Sequence, residues 1–292
     1  MRTLISTDTS CLINYEVLNK YEISVFPLNV IVDGEEYLDG ITINQEQLKD
    51  AMRSNKKIKT STPPLGEVVS YFENLFAKGY EHIIHFTISS KLSSMNQLFN
   101  NVAKEYFPGK VTIIDSYGLT VTMLSHVFFA YDEVQKETAV EEIIKKIEDR
   151  KTDNCIVFVP ENLVALKNGG RISPAIAVIG DVLGIKPLIS LTDGELKKEG
   201  MIRNIKKTFA DKINTSISTL PPQDYDYTIL SFDANQATLQ YIEAFANEKI
   251  KENNVIKGII PINVCAHCGP GTIGLVISKK INGKSLNYYI NN

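Results

Sequence analysis

The chain of 292 residues has little of what marks several large classes of protein. It contains no tryptophan and only four cysteines, too few and too scattered for a disulfide-rich scaffold. Its 31 basic residues are balanced by 34 acidic ones, so no positive excess indicates nucleic-acid binding. No apolar run approaches the roughly 18 residues of a membrane span, and the first residues, MRTLISTDTS, lack the apolar segment of a secretory signal. We therefore predict a cytoplasmic protein whose cysteines are free thiols.

The composition that remains, with 43% hydrophobic and 22% charged residues, is typical of globular proteins. Short β-rich runs alternate with runs of helical period, which is the pattern of an α/β fold with largely parallel strands. The polar segment RKTDN at 150–154 interrupts this pattern. We predict two α/β domains, residues 1–153 with a mainly parallel sheet and residues 154–292 with a mixed sheet.

Three of the predicted strands border turns. Residues 23–34, ISVFPLNVIVDG, are predicted as one strand that ends in a turn at Asp33-Gly34. Residues 256–264 and 272–281 are also predicted as strands, so the AHCGPG segment between them is expected to form a glycine-rich turn.

Acid and hydroxyl clusters follow three predicted strands of the first domain, at 6–10 (STDTS), 87–90 (TISS) and 114–116 (IDS). Ligands of open parallel sheets bind at the carboxyl ends of strands, where helix N-termini favour an anion. Two hydroxyl-rich segments, KTSTPP at 59–64 and SSKLSSM at 89–95, precede predicted helices. The clusters indicate an anion site, or else ordinary N-caps, which use the same residue types.

The segment KNGGRIS at 167–173 places Arg171 after two glycines that permit a tight turn. A guanidinium held in this way suits a carboxylate or a phosphate. The spacing alone is equally compatible with a surface salt bridge after a helix.

The segment CAHC at 265–268 leaves two further classes open. Cys265, His267 and Cys268 supply three zinc ligands where a structural site needs four, and a redox dithiol usually stands at the start of a helix.

A hydrolase would use Ser93 as nucleophile with His267 and Asp115, since triad residues follow no fixed chain order.

Seven segments in order, spread along nearly the whole chain, resemble the successive signatures of the DegV family. They are STDTS (6–10), KTSTPPLGE (59–67), ISSKLSSMNQ (88–97), VTIIDS (111–116), LKNGGRIS (166–173), GIKPLISLTDGEL (184–196) and AHCGPGTIG (266–274). The resemblance implies a fatty-acid-binding protein with an acyl tunnel near the junction of two α/β domains. In Gram-positive bacteria such proteins present the bound acid to a separate kinase, which makes acyl phosphate for phospholipid synthesis.

The resemblance also implies roles for individual residues. Thr60 and Ser93 would hydrogen-bond the fatty-acid carboxylate, while Arg171 and His267 would lie near the head group and serve phosphotransfer. Further candidates for the surroundings of the head group are Ser61, Ser90 and Asp115.

The chain departs from the family pattern at four positions, none of which is among the four residues given head-group roles. Thr62 stands where glutamine is usual, Ser94-Met95 where glycine-threonine is common, and Cys268 where threonine is common. Methionine in place of a small residue would reshape the tunnel. The apolar run 173–185 and the Met95–Phe99 stripe are expected to line the tunnel or to pack in the core.

From this resemblance we expect a fatty-acid carrier that is not itself an enzyme and needs no metal or other cofactor. Its expected partners are a long-chain fatty acid and a fatty acid kinase, with no nucleic acid and with transient membrane contact for ligand exchange. The alternative from a different class is a hydrolase of small acyl or phosphate esters that uses Ser93 and His267.

Overall fold

The computed structural model describes residues 2–11, 15–161, 163–172, 184–250 and 255–291. Its strands are β1 (Thr3–Asp8), β2 (Ser24–Phe26), β3 (Asn29–Val32), β4 (Glu35–Leu38), β5 (Ile58–Ser61), β6 (His82–Thr87), β7 (Val111–Asp115), β8 (Asn154–Val159), β9 (Lys186–Thr192), β10 (Glu195–Ile202), β11 (Tyr225–Phe232), β12 (Val255–Ile259) and β13 (Thr272–Lys279). Its helices are α1 (Tyr15–Lys20), α2 (Gln45–Arg53), α3 (Leu65–Ala77), α4 (Met95–Tyr106), α5 (Thr120–Gln135), α6 (Val140–Arg150), α7 (Val164–Asn168), α8 (Ile205–Thr219), α9 (Gln236–Ile250), α10 (Ile262–Cys268) and α11 (Leu286–Asn291).

The N-terminal part contains a four-stranded sheet in the order β2-β1-β6-β7, and all of its strands are parallel. Every residue of β6 is buried, as expected for a central strand whose two faces are both covered by helices. The predicted parallel sheet is therefore confirmed. Its carboxyl edge carries the Asp8 and Asp115 ends of β1 and β7.

The prediction of one strand over residues 23–34 is wrong. Pro27 separates two strands that belong to different sheets: β2 pairs with β1, whereas β3 pairs with β4 and β5 in an antiparallel sheet of three strands. Proline has no N–H for a sheet ladder, which explains the interruption. The predicted turn at Asp33-Gly34 is confirmed as the two-residue connection between β3 and β4.

The C-terminal part contains a six-stranded mixed sheet in the order β10-β9-β8-β13-β11-β12. Only β11 and β12 pair in parallel. All six strands follow residue 153, but a single cluster of buried side chains joins residues of both parts, among them Phe86 and Val276. The division at 153/154 stays a prediction.

The prediction of a strand over residues 256–264 is wrong at its end. The strand β12 stops at Ile259, and α10 begins after Pro261, whose fixed φ suits a helix start. His267 therefore lies in the last turn of a helix and not on a turn between two strands. Gly269 ends that helix with a φ of 75°, a backbone conformation that is strained for residues other than glycine.

Candidate functional site

A cavity of about 400 Å³ lies between the N-terminal and C-terminal parts. It falls in the size range of about 300–1,000 Å³ that is usual for small-molecule sites. Aliphatic side chains make up about half of its lining residues and come from the sheets and the segments that follow their strands, with Leu28, Leu191, Leu230 and Val276 as examples.

Polar side chains of the lining include a group that we call the polar end of the cavity. It comprises Thr60, Ser61, Ser93, Arg171 and His267. The group draws on β5, the loop before α4, the segment after α7, and α10. The structure thus brings together the four residues for which the resemblance implied head-group contacts.

One hydrogen bond joins polar-end residues of the N-terminal and C-terminal parts. His267 Nε2 and Thr60 Oγ1 lie 2.9 Å apart, and the tautomer of the ring decides which atom donates. Thr60 is fixed by its place in β5, where it is paired with Val30 of β3. The bond therefore ties the small antiparallel sheet to α10.

The surroundings of His267 keep its imidazole neutral. Burial and the positive charge of Arg171 lower its pKa from the ordinary 6.5 to about 4. The backbone of Gly169 lies against the ring, where a Cβ would collide with Nδ1 and lie 3.0 Å from Cε1. Only glycine fits at this position, which gives the first glycine of the KNGGRIS segment a packing role.

Arg171 also links the two parts of the chain. Its Nε donates to the carbonyl of Leu92 at 3.2 Å, and its Nη1 donates to the carbonyl of Gly169. Burial lowers the pKa of the guanidinium, which still leaves it charged at neutral pH. No carboxylate of the described residues forms an ion pair with it, so the charge is balanced there only by carbonyl dipoles.

Ser93 lies at the N-terminus of α4. Its hydroxyl accepts a hydrogen bond from the backbone N–H of Met95 at 3.3 Å. The hydroxyl proton remains available to a second acceptor. The helix N-terminus carries partial positive charge, so this end of the cavity favours an anion.

A buried acidic network holds the start of α10 and was missed by the sequence prediction. Asp39 Oδ2 accepts from the backbone N–H of Asn263 at 3.0 Å, and burial raises the pKa of Asp39 to about 7. Asn263 Nδ2 donates to Thr9 Oγ1 at 3.3 Å and to Ser10 Oγ at 3.4 Å. The STDTS cluster at 6–10 signalled Thr9 and Ser10, whereas Asn263 and Asp39 are far from it in the sequence and carried no signal of this pairing.

Two residues predicted for the surroundings of the head group do not line the cavity. Asp115 Oδ1 accepts from the backbone N–H groups of Ser90 and Tyr117, both at 3.1 Å, and Ser90 is exposed. Ser61 does line the cavity. Asp115 therefore organises a loop. His267 is hydrogen-bonded to Thr60, and the Ser93–His267–Asp115 relay that a hydrolase would need is not formed among these residues.

The cysteines of the CAHC segment are packed and unreactive in character. Cys265 and Cys268 are buried free thiols at 0% and 5% exposure, and burial raises the pKa of Cys265 well above its ordinary value. Within the described ranges, no group of three or more His, Cys, Asp and Glu side chains is arranged to hold a metal ion.

The positions at which the chain departs from the family pattern all face the cavity. They are Thr62, Ser94, Met95 and Cys268. The expected lining run 173–185 lies, for residues 173–183, outside the described residues. Of the predicted stripe, Met95 lines the cavity, whereas Phe99 packs in the core between α3 and α4.

The fold and the cavity define an α/β protein with an internal apolar cavity that ends in hydroxyl, imidazole and guanidinium groups. Of the helices that the structure describes, none is long and apolar enough to cross a bilayer. A sequence profile described as "Uncharacterised protein, DegV family" matches residues 2–280. The chain belongs to the DegV family.

Relatives extend over nearly the whole chain. A DegV domain-containing protein of Staphylococcus aureus is 29% identical over 291 residues, which cover 96% of this chain and 99% of the relative. The crystal structure of a fatty acid binding DegV family protein of Streptococcus agalactiae has a TM-score of 0.86 at 22% identity and covers 96% and 99% of the two chains. A stearic acid-binding protein of Eubacterium ventriosum has a TM-score of 0.82 at 23% identity, covering 95% and 98%. These structures share the fold of this chain, including its parallel and mixed sheets.

The depressed pKa of His267 makes its contribution to stability depend on pH. The unfolded chain protonates this ring below about 6.5, whereas the folded protein resists protonation until about pH 4. As pH falls from 6.5 to 4, the unfolded state gains a proton that the native state lacks, so native stability falls. We expect His267→Gln to lose this component, so that the free energy of unfolding of the wild type falls more steeply than that of the variant across this range.

Urea unfolding at a series of pH values measures the difference, and the side-chain NMR titration of His267 measures the pKa directly. The fully buried His85 and His126 are present in both proteins and cancel in the comparison. Parallel pH profiles for the two proteins, or a His267 pKa near 6.5, would contradict the assigned environment.

Proposed function

We propose that this protein binds a long-chain fatty acid in the cavity, with the carboxylate at the polar end. The observation that carries the proposal is the combination of a long aliphatic lining with one end built from hydroxyls, a neutral imidazole and an arginine. Several structures with the same fold are of fatty-acid-binding proteins, one of them binding stearic acid, which supports this choice of ligand.

Energetics favour full enclosure of the acyl chain. Each buried methylene contributes about 0.8 kcal/mol, so a sixteen-carbon acid has a gross driving force of roughly 12 kcal/mol. The carboxylate opposes burial, because a charge removed from water without partners is costly. The polar end therefore decides whether the acid is held.

The polar end offers the carboxylate donors from both parts of the chain. Thr60 and Ser93 would donate their hydroxyl protons, and His267 Nε2 would then act as the orienting partner of Thr60. The N-terminus of α4 would stabilise the anion through its partial positive charge, and Arg171 would form an ion pair with it. Ser61 would complete the surroundings.

We propose that the protein acts as a carrier and not as a catalyst. A separate fatty acid kinase would supply ATP and phosphorylate the carboxylate for phospholipid synthesis, while Arg171 and His267 orient the acid or the acyl phosphate. Thr62 and Ser94 line the same cavity and are exposed, so the head group would be reachable from the surface. A cytoplasmic carrier of this kind would meet the membrane transiently to exchange its ligand.

Mass spectrometry tests the ligand directly. Protein expressed in bacteria, purified and then denatured, should release a long-chain fatty acid in near-equal molar amount. Protein that carries another molecule in this cavity, or that takes up no fatty acid when purified without one, would refute the proposal.

The hydroxyls are tested by the double variant Thr60→Val with Ser93→Ala. Each hydrogen bond to a charged group contributes about 1.5–3 kcal/mol, so the affinity for palmitate should fall at least about tenfold. Displacement of a fluorescent fatty acid measures the change. Ser90→Ala is the matched control, since Ser90 is exposed and lies off the cavity. Equal affinities for the double variant and the control would place the carboxylate elsewhere.

The kinase step is tested with Arg171→Gln. With a purified bacterial fatty acid kinase, ATP and Mg²⁺, acyl phosphate trapped as its hydroxamate should fall by about a hundredfold, the usual effect of removing one preorganised charged donor. Both proteins are assayed at a fatty acid concentration that saturates them, so that weaker binding by the variant does not account for the loss. Lys167→Gln, which changes an exposed lysine four residues away, should match the wild type. Acyl phosphate formed without added kinase would contradict the carrier role.

A further inference from the structure

The C-terminal sheet forms one wall of the cavity, and the alternation of β13 sets its direction. Thr272, Gly274 and Val276 line the cavity, since every second side chain of a strand faces the same side. Thr272 Oγ1 donates to the carbonyl of Cys268 at 3.0 Å, so it lies beside the end of α10 that carries His267. Val276, four residues further, is about 14 Å away along the strand. The cavity thus runs along β13 away from the polar end.

Three neighbouring strands contribute to the wall of the cavity at the level of Val276. Val276 is paired with Ile156 of β8, and Ile156 is paired with Leu191 of β9. All three side chains line the cavity. We call this row of three residues the end wall.

A second, polar crevice of about 170 Å³ lies behind the end wall. Ile156 and Leu191 line both the cavity and the crevice. The crevice also contains the ion pair between Lys212 and Glu199, at 3.0 Å, and the thiol-bearing Cys155. Two side chains therefore separate an apolar cavity from a polar one.

We infer that Leu191 and Ile156 set the upper limit of acyl chain length, as a barrier between the cavity and the crevice. The inference rests on the proposed function. An acid whose tail reaches the end wall places the end of that tail against the aliphatic side chains of Ile156, Leu191 and Val276. A longer acid must either fold back on itself or withdraw its carboxylate from the polar end, and both cost binding free energy. Removal of the barrier joins the two spaces.

The test compares Leu191→Ala with the wild type against a series of saturated acids from dodecanoate to docosanoate. The wild type should show a sharp loss of affinity above one chain length. Leu191→Ala should shift that limit upward, with about a tenfold gain for the first acid beyond the wild-type limit when two more methylenes are accommodated. Leu188→Ala is the matched control, since Leu188 is a buried leucine of the same strand that lines neither the cavity nor the crevice, and it should leave the limit unchanged.

The rate at which the Cys155 thiol is modified provides a second measurement, which enlargement of the cavity alone would not change. Cys155 lines the crevice and not the cavity, and it is the least buried of the four cysteines. In Leu191→Ala, acids beyond the wild-type limit should slow the maleimide modification of Cys155, identified by peptide mass spectrometry. Shorter acids should give no protection, nor should any acid in the wild type or in Leu188→Ala.

The outcomes separate this inference from the proposed function. A wild type that binds none of the acids overturns the proposed function itself. A wild type that binds them, together with a Leu191→Ala variant that keeps the same limit and an unprotected Cys155, overturns only the barrier. Should Leu191→Ala fail to fold, Ile156→Ala removes the paired member of the end wall and carries the same expectations.

Discussion

The hydrogen bond between His267 and Thr60 is the contact on which the arrangement of the site depends. It joins a helix of the C-terminal part to a strand of the N-terminal part at one end of a shared cavity. Neither part alone contains the full set of polar groups, because the hydroxyls come from the first part and the imidazole and guanidinium from the second. A ligand bound at this point contacts groups of both parts and therefore also stabilises the contact between them.

Burial explains why this contact uses a neutral imidazole. A charged ring near Arg171 would add a second cation in a poorly solvated place, and its pKa falls accordingly. The same principle acts in the opposite direction on Asp8 and Asp39, whose pKa values rise to about 6 and about 7. The carboxyl of Asp39 is retained despite this cost because it accepts from the otherwise unsatisfied N–H of Asn263 at the start of α10. The position of His267 is thus fixed from both ends of its short helix.

The sequence predicted those features that depend on local pattern. Alternating β-rich and helical runs identified the parallel sheet, and the ordered motifs placed Thr60, Ser93, Arg171 and His267 in one family pattern. Sequence reasoning failed where pairing is long-range: β5 is short and polar, and it is a strand only because β3 offers it a partner. Pro27 and Pro261 were present as signals of a break and of a helix start, but the apolar residues around them resembled continuous strands.

The alternation of side chains along β13 also constrains how ligand preference can change between relatives. Side chains return to the same face only every second residue, so a closing row can move along the strand only in steps of about 7 Å. Substitutions within one row change the cavity volume by small amounts. Moving the large side chains from one row to the next changes the depth of the cavity by a whole step. Neither change touches Thr60 or His267, so under the proposed function selectivity for the tail can diverge while recognition of the acid group stays constant.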